Sequence, residues 1–432
     1  MIVELLDSYL KKTVTVTATI SNFLNKIECE DRNFKAVLHI NKEAIEEAQK
    51  LDLYVSEYNK LKGRLHGVPF LVKANMKTSD LLPTSCGSLV LKDYYADVDA
   101  DVIDWLVKEG AVLLGKTNMS EFSNYLSNNS ASGYSSLGGQ TISVFGQDYQ
   151  VGGSSSGSAV AVAASFCAFS VGSETDGSVV YPAAHNGVYA FKFNLEKVSK
   201  NGIIGISSFF DTIGFFTKKL IDLQYLVSLN CDLINGNIHS PRNVFIEVSS
   251  FNSEVHPLFI KLEKFLLDER IGMKTGEFIE DIDPYFDQMD VICQTEFKEN
   301  TKNHLPFSNE DFMEVCKQKL VPDFHSDIAE IERSFSSEFL SSGEYDKAIN
   351  GLNRLRLQKR KSMNENELDL ILAITLGPTE ISSIANLLDL THLVIAIENE
   401  GLMPIGFSIM GLANQEGLSF DFAKRFLNFL RK

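Results

Sequence analysis

Residues 151–184 read VGGSSSGSAVAVAASFCAFSVGSETDGSVVYPAA. The stretch opens with a Gly/Ser loop. A run of small residues suited to a buried helix follows (158–166), then a short apolar strand (168–172), then a second loop, ETDGS, at 174–178. Glycine lacks a Cβ and tolerates positive φ, so such loops bring backbone N–H groups close to a ligand. Serines held in them are placed for nucleophilic attack, but an unactivated serine needs a base. Upstream, HGVPFLVKAN (66–75) is a short apolar strand that ends in Lys73. The three segments together suggest a serine hydrolase that uses lysine where others use histidine.

Working outward, helix and strand signals alternate over 65–214. ADVIDWLVKEG (100–110) spaces Val102, Ile103, Leu106 and Val107 as one helical face, with Gly110 as the stop, and AVLLG (111–115) is the next strand. This alternation predicts an α/β fold: a single large domain whose mostly parallel mixed central sheet is covered by helices on both faces. Residues 1–62 read as largely helical. Within them 42–60 place Ile45, Ala48, Leu51 and Tyr54 near a helical period. From 220 to 360 the pattern is mainly helical. Strands return at LDLILAIT (368–375), VIAIE (394–398) and PIGFSIM (404–410), with NEGLM (399–403) as a hairpin turn, before a closing amphipathic helix, LSFDFAKRFLNFLRK. Strands at both ends and no linker favour one domain over 1–432.

Composition removes several function classes. The chain has 432 residues, 44% of them hydrophobic, and a formal net charge of −17. A nucleic-acid backbone or an anionic membrane would repel it as a main partner. The one local basic run, RLRLQKRK (354–361), reads as a solvated helix face. Six scattered cysteines with no C-x-x-C pair suggest neither a disulfide framework nor a metal site, and Cys167 reads as a small core residue. The N-terminus fits neither a secretory signal nor a mitochondrial presequence, so a cytoplasmic location is expected. Residues 149–173 carry no charge, but their Ser and Gly content favours a buried helix and strand over a membrane span.

Two motifs mislead. GAVLLGKT (110–117) satisfies the phosphate-loop pattern G-x-x-x-x-G-K-[ST], yet its intervening residues, Ala, Val, Leu and Leu, are those of a strand. GSSSG (153–157) matches G-x-S-x-G with Ser155 at its centre, the nucleophile elbow of α/β-hydrolases. An elbow needs an apolar strand before it, and FGQDYQV (145–151) is a poor one. It also needs an acid and a histidine downstream, for which His185 and His392, the latter close after Asp389, are the leading candidates.

With Lys73, Ser154 and Ser178 identified, the chain resembles the amidase signature family. Four blocks carry the likeness in order: LHGVPFLVKAN, GAVLLGKTNMSEF, VGGSSSGSAVAVAA and VGSETDGSVVYPAA. It is strong over about 65–218, where GIIGISSFFDTIGFF (202–216) adds a fifth block, and fainter to the C-terminus. SSSGS, ETDGS and SGYSSLGGQT (132–141) look like the peptide-amidase-like branch. Asp176 stands where the glutamyl-tRNA amidotransferase A subunit more often has a glycine, and Val180 where it has an arginine. Two further departures are Ala74, in place of the aspartate common after the lysine, and Phe193, in place of a proline.

The resemblance implies a Ser–cis-Ser–Lys triad. Ser178 is the nucleophile, Ser154 the bridging serine on a non-proline cis peptide, and Lys73 the base. The oxyanion hole is expected from the N–H groups of Thr175, Asp176, Gly177 and Ser178, with Thr175 positioning the loop through its hydroxyl. Ser130 and Gln140 are expected on the substrate-binding side. Lysine ordinarily titrates near pH 10.4, so a base role requires burial, and the Asp176 carboxylate should point away from it. The implied activity is hydrolysis of a small or peptide carboxamide through an acyl-enzyme, with no cofactor and no metal. Two alternatives stay open: the A-type component of an amidotransferase that passes ammonia to a partner subunit, and a non-catalytic binding protein that keeps the fold. The region 220–365 is expected to form a diverged substrate side.

Overall fold

The computed structural model describes residues 1–79, 81–230, 240–252, 255–305, 308–318, 327–375, 380–398 and 403–432. Its centre is an eleven-stranded sheet. In chain order the strands are β1 (Val37–Ile40), β2 (Pro69–Lys73), β3 (Val112–Thr117), β4 (Phe169–Glu174), β5 (Tyr189–Lys192), β6 (Thr212–Thr217), β7 (Asn243–Glu247), β8 (Gly272–Gly276), β9 (Leu368–Thr375), β10 (Thr391–Ile397) and β11 (Ile405–Gly411). They lie in the order β1-β3-β2-β4-β6-β5-β10-β11-β9-β7-β8. The helices used below are α1 (Ala44–Tyr58), α2 (Asp101–Lys108), α3 (Ser156–Ala163), α4 (Val180–His185), α5 (Asp283–His304), α6 (Glu344–Glu365), α7 (Glu380–Leu387) and α8 (Glu416–Leu430).

The α/β reading holds, and helices cover both faces, but the sheet is less parallel than the alternation suggested. β2 runs parallel to β3 and β4, as crossovers through α2 and α3 require, and β7 runs parallel to β8 and β9. The other pairs are antiparallel: β1–β3, β4–β6, β5–β6, β5–β10, β10–β11 and β9–β11. No helix lies between β5 and β6, so the chain returns without a crossover. Five strands, β1, β5, β6, β7 and β8, were not read from the periodicity. β1 has no fully buried residue, β8 is mostly exposed, and β7 is only partly buried, so none of these three gives a continuous apolar run. The expected turn at 399–403 falls almost entirely outside the described residues.

Side chains alternate across the sheet with period two. Phe70, Val72, Phe169, Phe191, Phe193 and Phe215 belong to one core, covered by residues of α2 and α8. Leu71, Leu114, Ala190 and Phe216 belong to the core on the other face, with Ala159 to Val162 of α3 and Ala48 and Leu51 of α1. A third core joins Ile371 and Ala373 of β9 to helices of the 220–365 region. In α2, Val102, Ile103 and Leu106 are buried as read, whereas Val107 is exposed. Phe193, the proline departure, is fully buried edge-on to Phe215, and its N–H donates to Ile213 O, a bond no proline could make. Among the described residues no helix is long and apolar enough to cross a membrane.

Candidate active site

The parallel strands bring the three expected residues to one edge. Lys73 ends β2, Ser178 follows β4 across the ETDGS loop, and Ser154 precedes α3. The approach of α3 depends on Gly157, where an added Cβ would lie 2.4 Å from both Ala36 O and Asn118 O. The Gly153–Ser154 peptide is cis. Lys73 Nζ lies 2.7 Å from Ser154 Oγ, which lies 2.9 Å from Ser178 Oγ. Ser155 N donates to Ser178 O at 3.1 Å, so the two serine loops are also joined through their backbones.

Lys73 is fully buried. Its other two contacts are Ser173 O and Ser173 Oγ, each at 3.1 Å, and Asn75 Nδ2 holds that same hydroxyl at 3.0 Å. A charged ammonium has three donors for these three acceptors. A neutral amine keeps two donors for Ser173 and turns a lone pair to Ser154. Burial pushes the lysine down to about 7, against the opposing pull of Asp211, Cys86 and Glu174. Both forms are thus accessible near neutrality.

Each residue of the loop before Ser178 is held from elsewhere. Glu174 Oε2 accepts from Val179 N at 2.6 Å and Val180 N at 3.0 Å, and its Oε1 accepts from Asn386 Nδ2 at 2.9 Å. Thr175 Oγ1 donates to Asp211 Oδ1 at 2.5 Å. Asp176 turns toward α7, where Ser383 Oγ lies 2.8 and 2.9 Å from its two oxygens. Gly177 has φ +80°, and an added Cβ would lie 2.8 Å from Ser382 Oγ. Among the described residues, no acceptor takes the backbone N–H of Thr175, Asp176, Gly177 or Ser178.

Within 169–184 only Asp176 is exposed. Burial raises its carboxyl to about 6, with Glu174 adding to the effect. Asp211 is likewise raised to about 6 by burial.

The remaining sequence candidates fall elsewhere. Gln140 Nε2 donates to Ser132 O and Thr141 O, and the residue lines a cavity of about 590 Å³ with Lys35, Gln150 and Tyr181. Neither Ser154 nor Ser178 lines that cavity among the described residues. Ser130 Oγ is buried with no hydrogen-bond partner among the described residues. Ser155 Oγ donates to Ser173 O, and His392 Nε2 pairs with Ser408 Oγ at 2.7 Å, so the elbow has no histidine base in His392. GAVLLGKT is largely β3, with Lys116 fully buried and donating to Met76 O. Ser173, Asn75, Glu174 and Asp211 were not singled out, although all lie inside the quoted blocks. Ser383 and Asn386 had no such signal.

Residues 18–289 match the family model described as Amidase. A protein named as a putative amidase from Schizosaccharomyces pombe is 35% identical over 225 residues, 52% of this chain and 38% of that protein. The A subunit of the glutamyl-tRNA(Gln) amidotransferase from Staphylococcus aureus is 30% identical over 297 residues, 68% of this chain and 60% of that protein. The matched stretch thus spans about two- to three-fifths of these relatives' length. Among solved structures, the peptide amidase of Stenotrophomonas maltophilia superposes with a TM-score of 0.87 at 26% identity, covering 99% of this chain and 96% of that one. An amidase family protein from Bacillus anthracis gives 0.86 at 26% identity, covering 100% and 91%. The motif order, the sheet and the family match agree, and the chain belongs to the amidase signature family.

Proposed function

We propose that the chain hydrolyses a carboxamide, of a small molecule or a peptide, through Ser178, Ser154 and Lys73. The observation that carries this reading is the unbroken Lys73–Ser154–Ser178 contact, at 2.7 and 2.9 Å, beside a lysine whose burial brings it to about 7. Neutral Lys73 takes the Ser154 proton as Ser154 takes that of Ser178. Ser178 Oγ attacks the carbonyl carbon, and the oxyanion meets the N–H groups of the 175–178 loop. Each donor fixed in advance there contributes about 3 kcal/mol in the transition state. The relayed proton passes to the leaving nitrogen, the C–N bond breaks, and ammonia or an amine departs. Water then adds to the acyl-enzyme by the same relay, releasing the acid and restoring Ser178.

Residues 65–218 supply this chemistry, and 220–365 form the substrate side of one domain spanning 1–432. The described cysteines are free, which fits a reducing compartment, and we place the chain in the cytoplasm. A serine-directed fluorophosphonate should add one label, at Ser178. A panel of peptide amides and free primary amides, read by ammonia release, should then identify the substrate. Labelling at Ser155, or none at all, would refute the assignment. The match to the amidotransferase component supports a second reading, glutamine hydrolysis with ammonia passed to a partner. Glutaminase activity that appears only with a co-purifying second protein would select it.

A further inference from the structure

The basic run 354–361, read from sequence as a solvated helix face, has Arg356 turned inward, with Arg360 half exposed beside it. Arg356 and Arg360 stand one turn apart on α6, and both reach the C-terminal end of α7. Arg356 Nε donates to Leu387 O at 2.8 Å and its Nη2 to Asn386 O at 3.3 Å. Arg360 Nη2 donates to Asp389 Oδ2 at 3.1 Å, just past the helix. A helix leaves its last four carbonyls without intrahelical partners, and that end carries partial negative charge. In α7, Ile384 O and Ala385 O accept from Leu388 N and Leu390 N. Asn386 O accepts from Asp389 N at 3.3 Å, so Arg356 is a second donor to that carbonyl and supplies the donor to Leu387 O. The guanidinium also lies 4.2 Å from the centroid of the Phe209 ring, a cation–π contact.

Those two contacts sit at the roots of both supports of the ETDGS loop. Helix α7 carries Ser383, which holds Asp176, and Asn386, which holds Glu174. Phe209 lies two residues before Asp211, which holds Thr175. In that same turn, Phe209 N and Ser207 Oγ both donate to Glu296 of α5. One side chain therefore touches both pieces that grip residues 174–176.

We propose that Arg356 is a positioning residue for the nucleophile loop, fixing α7 and the 207–211 turn together and so setting the reactivity of Ser178. This rests on the amidase reading for its kinetic consequence, but not for its structural one. Arg356 belongs to the diverged helical region, and the path runs from that region to the catalytic loop without passing through substrate.

The test compares wild type with Arg356→Met, which keeps the apolar stem, and Arg356→Lys, which keeps the charge but loses the two-pronged donation. Hydrogen–deuterium exchange is followed over 174–184, with 112–117 of β3 as the internal control. In Arg356→Met, exchange at 174–184 should rise about tenfold or more, the scale of losing charge-assisted bonds. The β3 control should not change. Phosphonylation of Ser178 and kcat should fall by a similar factor while KM stays within about twofold, and Arg356→Lys should recover only part of the loss. Unchanged protection at 174–184 in both variants would overturn the proposal, as would a higher KM at constant kcat, which would make Arg356 a substrate contact. If Arg356→Met does not fold, Asn386→Ala must reproduce the loosened exchange; a fully protected loop in that variant refutes the path. A wild type inert to fluorophosphonate would end the amidase reading and leave the exchange result to decide this one.

Discussion

Replacing Lys73 by methionine removes the proposed base while keeping an unbranched stem in the same buried space. Its consequence should depend on pH in a calculable way. With the lysine at about 7, roughly nine-tenths of it is neutral at pH 8 and about 1% at pH 5. General-base assistance is worth about 10²- to 10⁴-fold, so at pH 8 wild type should exceed Lys73→Met by that factor in kcat/KM. By pH 5 the advantage should shrink about 90-fold. The assay is kcat/KM for one neutral amide from pH 5 to 9 in both proteins. Stability gives an independent check. A lysine at about 7 when folded and about 10.4 when unfolded leaves the unfolded chain holding the extra proton between those values, so stability rises with pH across that window. Wild type should therefore gain about 2 kcal/mol relative to Lys73→Met between pH 7 and pH 9 in chemical denaturation, and almost nothing below pH 6. A wild-type profile that is flat from pH 5 to 8, or a midpoint near 10, would refute the reasoning.

Ser178→Ala should abolish fluorophosphonate labelling by intact mass, whereas Ser155→Ala should retain it; the reverse pattern would restore the elbow. Gly177→Ala combines positive φ with a Cβ 2.8 Å from Ser382 Oγ. It should cost about 1–2 kcal/mol in denaturation and slow acylation, and wild-type labelling kinetics would show the loop to be more tolerant than drawn. Phe215 is fully buried against Phe169 and Phe193, so Phe215→Ala should lose about 3–5 kcal/mol, measured by urea unfolding.

What the sequence made legible was local chemistry with a strong pattern. Gly-Ser loops, a strand ending in Lys73 and a run of small residues each force one local shape, and the strands and loops that carry Lys73, Ser154 and Ser178 could be read from them, whereas β5 and β6 could not. The resemblance supplied the roles. The parallel excess was misjudged because alternation shows that strands exist without showing which neighbour each finds. β5 pairs with β10, some two hundred residues later, and nothing local marks that choice. Ser383, Asn386 and Arg356 were invisible for a related reason. A serine, an asparagine and an arginine on amphipathic helices have ordinary solvated uses, and only tertiary contact shows what they hold.

That long-range pairing has a consequence for biosynthesis. A ribosome that has released residues 1–230 has already delivered Lys73, Ser154 and Ser178, but β10, β11 and the supports on α7 are still unmade. Contacts of such high sequence separation form late and slowly. On the proposed reading, the growing chain carries Ser178 in an unsupported loop until α7 and the strands after it dock, and activity arrives only then. Fragments 1–230 and 231–432, each inert alone, should regain activity when mixed.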